Sequence, residues 1–324
     1  MDALSDVLRT VRLEGALYLH AEFTAPWCIN ARYGQLRLSE RLAGADHVIP
    51  FHHIVDGHCS AQLDTGGDVV ELAAGDLVLI PRNERHLIGS ELDPNALVAE
   101  SVNADDCRPN DDLIPMGGGG GGEATSVVCG YLACSKSVTR PLLDALPRLF
   151  KVPMGDSPGY SMVQELLRAG MRESLRASSG LQPMLAKLAE LLFVEALRRY
   201  IELLPPDGNG WLAGLRDAQV GRALALIHGE PSRNWTVEEL ARGAAMSRSA
   251  LAERFTSLVG ESPMQYLTRW RLALAAQMLR STKEPIVRIA ERAGYESETA
   301  FNRAFKREFG TPPAGWRRTA LAPL

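Results

Sequence analysis

Apolar residues change their spacing twice along this chain. Residues 1–12 place Leu4, Val7, Leu8 and Val11 three and four apart, the spacing of an amphipathic helix. From about Tyr18 to Leu132 the pattern shortens to β-like runs between turn residues. Gly34–Leu38, Val48–His52, Asp68–Leu72 and Asp76–Ile80 are such runs, divided by Gly66-Gly67, Ala74-Gly75-Asp76 and Asp93-Pro94. Short strands at this interval predict an all-β sandwich or barrel. Asp105–Thr125 is polar and contains six successive glycines, Gly117–Gly122, which predicts a flexible loop. Ser126–Leu132 predicts a last strand. Beyond it the period becomes helical, over Pro141–Leu149, Tyr160–Ala177 and Leu181–Leu204. In the third helix Leu181, Leu185, Leu188 and Leu192 form a stripe that suits either an internal packing face or a subunit interface of paired helices. The run Leu204-Pro-Pro-Asp-Gly-Asn-Gly210 cannot continue a helix and reads as a linker.

The last hundred residues contain a repeat. One block reads Leu240-Ala241-x-x-Ala244-Ala245-Met246, followed by Ser247, Leu251, Phe255, Gly260 and Pro263. A second reads Ile289-Ala290-x-x-Ala293-Gly294-Tyr295, followed by Ser297, Phe301, Phe305, Gly310 and Pro313. The offset is 49 residues through Met246/Tyr295 and 50 from Leu251/Phe301 onward, so the extra residue falls in a turn. Drift confined to a turn marks two copies of one supersecondary unit. Each copy reads as helix-turn-helix. Thr236 and Glu239 form a capping box, Gly294 supplies a positive φ at the second turn, and Ser247 and Ser297 cap the second helices. Leu251/Phe255 and Phe301/Phe305 lie four apart and face a core. The opposite faces carry Arg248, Ser249, Ala252 and Glu253 in one copy, and Glu298, Thr299, Asn302 and Arg303 in the other. A recognition helix needs that division, with one stripe to anchor it and one to meet base edges.

A spacer helix, capped by Ser262, Pro263 and Gln265, runs to Arg280 between the copies. Eighteen residues from Pro263 span roughly 27 Å, against about 34 Å between successive turns of the major groove. A rigid spacer of that length can set two recognition helices into neighbouring grooves.

Composition sharpens this reading. Of 324 residues, 46% are hydrophobic and 23% charged, which excludes a collagen-like or wholly disordered chain. No apolar run reaches the roughly 18–20 residues of a membrane span. Asp2, Asp6, Glu14 and Glu22 interrupt the first 25 residues, so no secretory signal is expected. The five cysteines, Cys28, Cys59, Cys107, Cys129 and Cys134, form no CxxC pair and suit a reducing cytoplasm. The net charge of −4 hides an asymmetry. Residues 214–324 hold 17 Lys and Arg against 11 Asp and Glu, while residues 1–213 hold 18 against 28. A basic end on an acidic body points to a polyanionic partner.

The second copy and its lead-in, from Arg271-Leu-x-x-Ala through Ile289-Ala-Glu-Arg-Ala-Gly-Tyr295, Ser297, Phe301, Phe305-Lys306, Gly310 and Pro312-Pro313, resemble the signature of AraC/XylS transcription regulators. The resemblance covers about residues 214–320, with Ala223–His228 as the first helix of the domain. It implies a sequence-specific DNA-binding protein gripping double-stranded DNA with two helix-turn-helix units. Carried over residue by residue, the base-reading positions are Ser249, Ala252 and Glu253, then Glu298, Thr299, Asn302 and Arg303, with Arg248 and Lys306 beside them. Arg303 is the candidate guanine contact and Lys306 a phosphate contact.

Gly75-Asp-x-x-x-x-Pro81-x-x-x-x-His86 resembles the second motif of cupins, and Phe51-His52-His53-Ile-Val-Asp-Gly57 part of the first. With Val128-Cys-Gly-Tyr131 and Pro141–Pro147, these resemble the cupin domain found on one branch of AraC-type regulators. From Met1-Asp-Ala-Leu-Ser5 onward the layout is similar to the branch of activators responsive to reactive chlorine. Adjacent strand residues point to opposite faces, so His52 and His53 cannot both ligate one ion. His52 and His86 can still meet inside the fold, as metal ligands, as a hydrogen-bonding pair lining a pocket, or as structural histidines. No cofactor is expected. Cys129 is either an inert core thiol or a redox sensor, with Cys134 or Cys28 as candidate companions.

The expected fold is α+β and multidomain. A cupin-like β-barrel senses a ligand or signal over residues 1–140, followed by a helical segment, 141–204, that could dimerise. A linker over 205–213 precedes a C-terminal all-α domain, 214–324, with two helix-turn-helix units. The expected function is a cytoplasmic transcription regulator answering a small molecule or an oxidant, with RNA polymerase as a further partner if it activates. It is expected not to be an enzyme and not to bind membranes. The competing classes are a metal-dependent cupin enzyme with a helical appendage and a non-specific DNA-binding protein.

Overall fold

A computed structural model describes residues 3–11, 13–31, 45–93, 114–155, 158–174, 180–205, 208 and 210–321. The expected strand Gly34–Leu38 and the cysteine Cys107 lie outside them. Helix α1 (Ala3–Val11) buries Val7 and Val11. Two sheets follow. The larger is ordered β10-β6-β3-β9-β1-β8, from β1 (Glu14–Thr24), β3 (His47–Asp56), β6 (Asp76–Leu79), β8 (Ile114–Gly119), β9 (Ala124–Cys134) and β10 (Phe150–Pro153). The smaller is ordered β2-β7-β4-β5, from β2 (Cys28–Ala31), β4 (His58–Leu63), β5 (Val70–Ala73) and β7 (His86–Gly89). All pairings are antiparallel except β1 with β8.

The large sheet is the middle layer of three. Its inner face, with Leu19, Phe23, Val48, Ile54, Val127 and Cys129, packs against Ile29, Cys59, Leu72 and Ile88 of the small sheet. Its outer face, with Ile49, Phe51, Leu77, Leu79, Val128 and Leu132, packs against α3 (Pro158–Ser174) and α4 (Leu181–Leu203). This explains the near-continuous apolar runs in β3, β6 and β9, because a strand covered on both sides has no solvent face for polar alternation.

The stripe Leu181, Leu185, Leu188 and Leu192 is buried in that outer layer, which decides for the internal packing face. Two other expectations change. The helix after β9, α2, spans Lys136–Ala145, so Pro141 sits inside it and not at its start. The helix is anchored early because the Asp46 carboxylate accepts the Lys136 amide at 2.7 Å, ninety residues away in the chain. The glycine run is not a free loop where it is described. Gly117–Gly119 belong to edge strand β8, against Glu22–Thr24 of β1. At Gly119 φ is +124°, and a β-carbon there would overlap the Thr24 carbonyl. Glycine is what allows β1 and β8 to lie this close.

The rest is helical: α5 (Trp211–Arg216), α6 (Ala218–Gly229), α7 (Val237–Gly243), α8 (Arg248–Val259), α9 (Pro263–Ser281), α10 (Ile286–Arg292), α11 (Glu298–Phe309) and α12 (Pro313–Leu321). The expected boundary after residue 140 falls inside α2, and α5 occupies part of the expected linker. The outer-layer core continues from α2, α3 and α4 into α5–α9, taking in Leu224, Leu240, Leu251, Phe255 and Trp270. A separate core joins α9 to α10 and α11 through Leu272, Ala276, Leu279, Ile289, Phe301 and Phe305. Among the described residues no helix is long and apolar enough to cross a membrane.

Candidate functional site

The two repeats fold as α7-turn-α8 and α10-turn-α11. Ser247 Oγ accepts the Ala250 amide and Ser297 Oγ the Ala300 amide, each at 3.2 Å. Both turns place one residue in the left-handed region, Ala245 at φ +55° and Gly294 at φ +77°. Leu251, Phe255, Phe301 and Phe305 are fully buried. A cap contributes about 1 kcal/mol, whereas each buried large side chain contributes about 1.5–3 kcal/mol. The buried pairs therefore set how α8 and α11 are presented, and the caps set where they start. On the opposite faces Arg248, Ser249, Glu253, Glu298, Thr299, Arg303 and Lys306 are exposed, and Ala252 and Asn302 are half-buried. Among the described residues no side chain engages Arg303 or Lys306.

Arg248 differs, because its Nε lies 2.9 Å from Glu238 Oε1 on α7. The repeat offset puts Val287 at the matching place in the second copy, so only the first copy holds back a cation in this way. Nothing in the local sequence pattern of α8 announces that pair. Spacer α9 has 19 residues, roughly 28 Å, and carries the expected Ser262/Gln265 capping box.

The histidine motifs meet between the sheets. His52 and Cys129 are register partners on β3 and β9, and His86 on β7 reaches them from the small sheet. His52 Nε2 lies 2.7 Å from His86 Nε2, and His52 Nδ1 lies 3.0 Å from Cys129 Sγ. His86 Nδ1 lies 2.9 Å from the Glu84 carbonyl oxygen, which can only accept. That terminus orders the whole chain. His86 Nδ1 carries the proton and donates to Glu84, leaving Nε2 to accept from His52 Nε2–H. His52 Nδ1 is then an acceptor for the Cys129 thiol. The result is a directed relay from thiol through two imidazoles to a backbone carbonyl. Burial pushes the pKa of His86 down to about 4 and that of His52 well below its usual value, so both rings are neutral.

His53 points the other way, as its neighbouring position requires. Its Nδ1–H donates to the Asp76 carbonyl at 3.1 Å and its Nε2 accepts from the Tyr160 hydroxyl at 2.9 Å. The donors present do not suit a metal. Cys129 and His86 sit at opposite ring nitrogens of His52, so the three do not converge on one point. Among the described residues no group of three His, Cys, Asp or Glu could hold an ion. Cys28, Cys59 and Cys134 are buried free thiols, with burial raising their pKa values to about 11, 12 and 12.

The strands bearing the relay end together beside the reading units. Asp46, next to β3, donates its amide to the carbonyl of Cys134, the last residue of β9. One Asp46 oxygen starts α2, and the other meets Arg280 of α9 at 2.7 Å. Arg140 of α2 lies 3.8 Å from Glu308 of α11. Asp46 and Arg280 carry no motif and are 234 residues apart, so only the folded chain reveals them.

Residues 2–202 match the Cupin family, and residues 240–319 match a helix-turn-helix domain family. The chain is 33% identical over 323 residues to a Streptomyces lividans protein named as an AraC-like transcription regulator, covering 100% of both. It is 32% identical over 327 residues to the HTH-type transcriptional regulator AlkR of Acinetobacter baylyi, covering 98% of this chain and 99% of that one. It is 30% identical over 326 residues to the RCS-specific HTH-type transcriptional activator RclR of Escherichia coli, covering 100% of both.

The neutral relay makes stability depend on acid. His86 unfolds to a pKa near 6.5 from about 4 in the fold, so between those values the unfolded chain binds more protons. Stability from this group is complete above pH 6.5 and is lost as pH falls towards 4, by at most about 1.4 kcal/mol per pH unit. Urea unfolding across that window should show a shallower decline for His86→Gln than for the wild type. Equal slopes would contradict neutral burial of this ring.

Proposed function

Because the chain belongs to the AraC-like transcription regulators, with a cupin domain ahead of its helix-turn-helix domain, we propose that α8 and α11 enter successive major grooves of one duplex. The chain is a DNA-binding regulator that senses a signal through its cupin domain. The observation that carries the groove assignment is the exposed polar face of α11 repeated on α8, one spacer helix away. Arg303 donates in a pair to guanine O6 and N7, Asn302 bonds an adenine edge, and Lys306 neutralises phosphate. Thr299, Glu298 and Ser249 complete the reading faces. Ala252 and Glu253 add little, and Arg248 must leave Glu238 before it can touch DNA, so the first unit contributes less base specificity.

The proposed division of labour is sensing over residues 1–140 and a helical segment over 141–204. A linker, 205–213, leads into the reading domain, 214–324. The helical segment offers a surface for a second copy. Met162 is 61% exposed on α3, with Leu166 beside it and Leu191 exposed on α4. The proposed protein is cytoplasmic and not an enzyme, and it contacts RNA polymerase if it activates. The proposed signal is an oxidant or other small electrophile acting at Cys129. His52 Nδ1 accepts the hydrogen bond of that thiol, and one relative is named for reactive species of this kind. From Cys129 and His52 the shared strand ends lead to Asp46, α2 and α9, a route by which sensing reaches the spacer helix.

Two experiments test these assignments. In a site library, Arg303→Ala should lose discrimination at one base position, worth about 1–3 kcal/mol. Lys306→Ala should weaken all sequences alike and flatten the salt dependence. The same profile for both variants would remove the assignment, and equal affinity for promoter and random DNA would favour a non-specific binder. Hypochlorous acid should change the DNA affinity of the wild type and leave Cys129→Ser unchanged. A full response in Cys129→Ser would exclude this thiol as the sensor.

A further inference from the structure

We infer that Arg271 is a positioning residue that locks the two helix-turn-helix units at a fixed phase along the DNA. It sits midway along α9, where it touches both units. Its Nε donates to the Pro231 carbonyl at 2.6 Å, and a terminal nitrogen donates to the Arg233 carbonyl at 2.8 Å. Those carbonyls belong to the loop from α6 into α7, so they move with the first unit. The loop is itself stiff. Trp235 is buried, its Nε1 donates to the Glu230 carbonyl at 3.0 Å, and the Arg233 guanidinium lies 4.0 Å from its ring centre.

The second unit presses on the same guanidinium. A β-carbon on Gly294, in the turn between α10 and α11, would lie 2.9 Å from Arg271 Cζ and 3.0 Å from the Ser232 carbonyl oxygen. Conformation alone does not demand glycine there. Ala245 occupies the matching turn of the first unit at a similar positive φ and carries a methyl group. Ala245 is exposed, whereas Gly294 is held against Arg271 and the loop of the other unit. The glycine is therefore required by contact between the units.

Such a lock has a purpose because the units have separate cores, and α9 is the helix that contributes side chains to both. A free helix of this length can bend. Successive bases are about 3.4 Å apart, so a small swing of one unit changes which base its helix meets. Two donors of one planar fork, bound to two carbonyls of one loop, resist both rotation and translation. Lysine gathers its donors on one nitrogen at the end of a flexible stem, so it lacks the planar fork that fixes the two carbonyls relative to α9.

This inference rests on the two-groove reading, and one experiment separates them. The full-length chain selects a duplex from a random pool. Versions of that duplex are then made with one base pair inserted or removed between the two contacted segments. The wild type should lose about tenfold or more in affinity at either altered spacing. Arg271→Lys should bind the selected duplex more weakly and lose less than about threefold on changing the spacing. Gly294→Ala, which wedges the units apart, should flatten or shift the optimum in the same assay. A flat profile for the wild type would refute the two-groove reading itself. A uniform loss at every spacing in Arg271→Lys, an unchanged profile in both variants, or failure of both to fold would assign Arg271 to stability or phosphate binding and overturn the inference.

Discussion

Helix α9 is buried on two sides, and the arrangement of the molecule depends on that. Tyr266, Leu267, Trp270 and Ala273 face the core that runs back through α5–α8 to the outer side of the large sheet. Leu272, Ala275, Ala276 and Leu279 face the core of the second unit. An amphipathic surface helix has one apolar stripe; a helix with two must be clamped between two bodies. The spacing of the reading helices is thereby set by packing as well as by helix length. The first unit is fused to the sensor through a continuous core, and the second hangs on α9, Arg271 and a few polar contacts.

The sensor half uses the same economy of shared elements. A sheet covered on both faces gives β3 and β9 two sets of inward side chains, so His52 and His53 serve different neighbourhoods one residue apart. The relay of Cys129, His52 and His86 lies between the two sheets, and its hydrogen bonds run in series and do not converge. Serial bonding fixes the tautomer of each ring and holds the thiol in place, with both rings neutral. The strands carrying it finish at Asp46 and Cys134, where one carboxylate joins the sheet, α2 and Arg280.

The legible parts of the chain were those with local causes. The repeat, the capping boxes at Thr236 and Ser262, and the buried pairs Leu251/Phe255 and Phe301/Phe305 rest on neighbours within a few residues, and they placed α7–α11 closely. The alternation rule separated His52 from His53 before any coordinates. What could not be read depends on distant partners. The early start of α2 comes from Asp46. The strand at Gly117–Gly119 exists because β1 has no other neighbour at that edge. The restraint on Arg248 comes from Glu238 on another helix. The leucine stripe of α4 had the right spacing for either fate, and only the sheet beneath it decides between them.

The two recognition helices are proposed to face one side of a duplex, one helical turn apart. Hydroxyl-radical footprinting of the full-length chain on a selected duplex tests that arrangement most directly. Two protected patches are expected on the same face, centred about 10 base pairs apart. A single patch, or two patches on opposite faces, would contradict it.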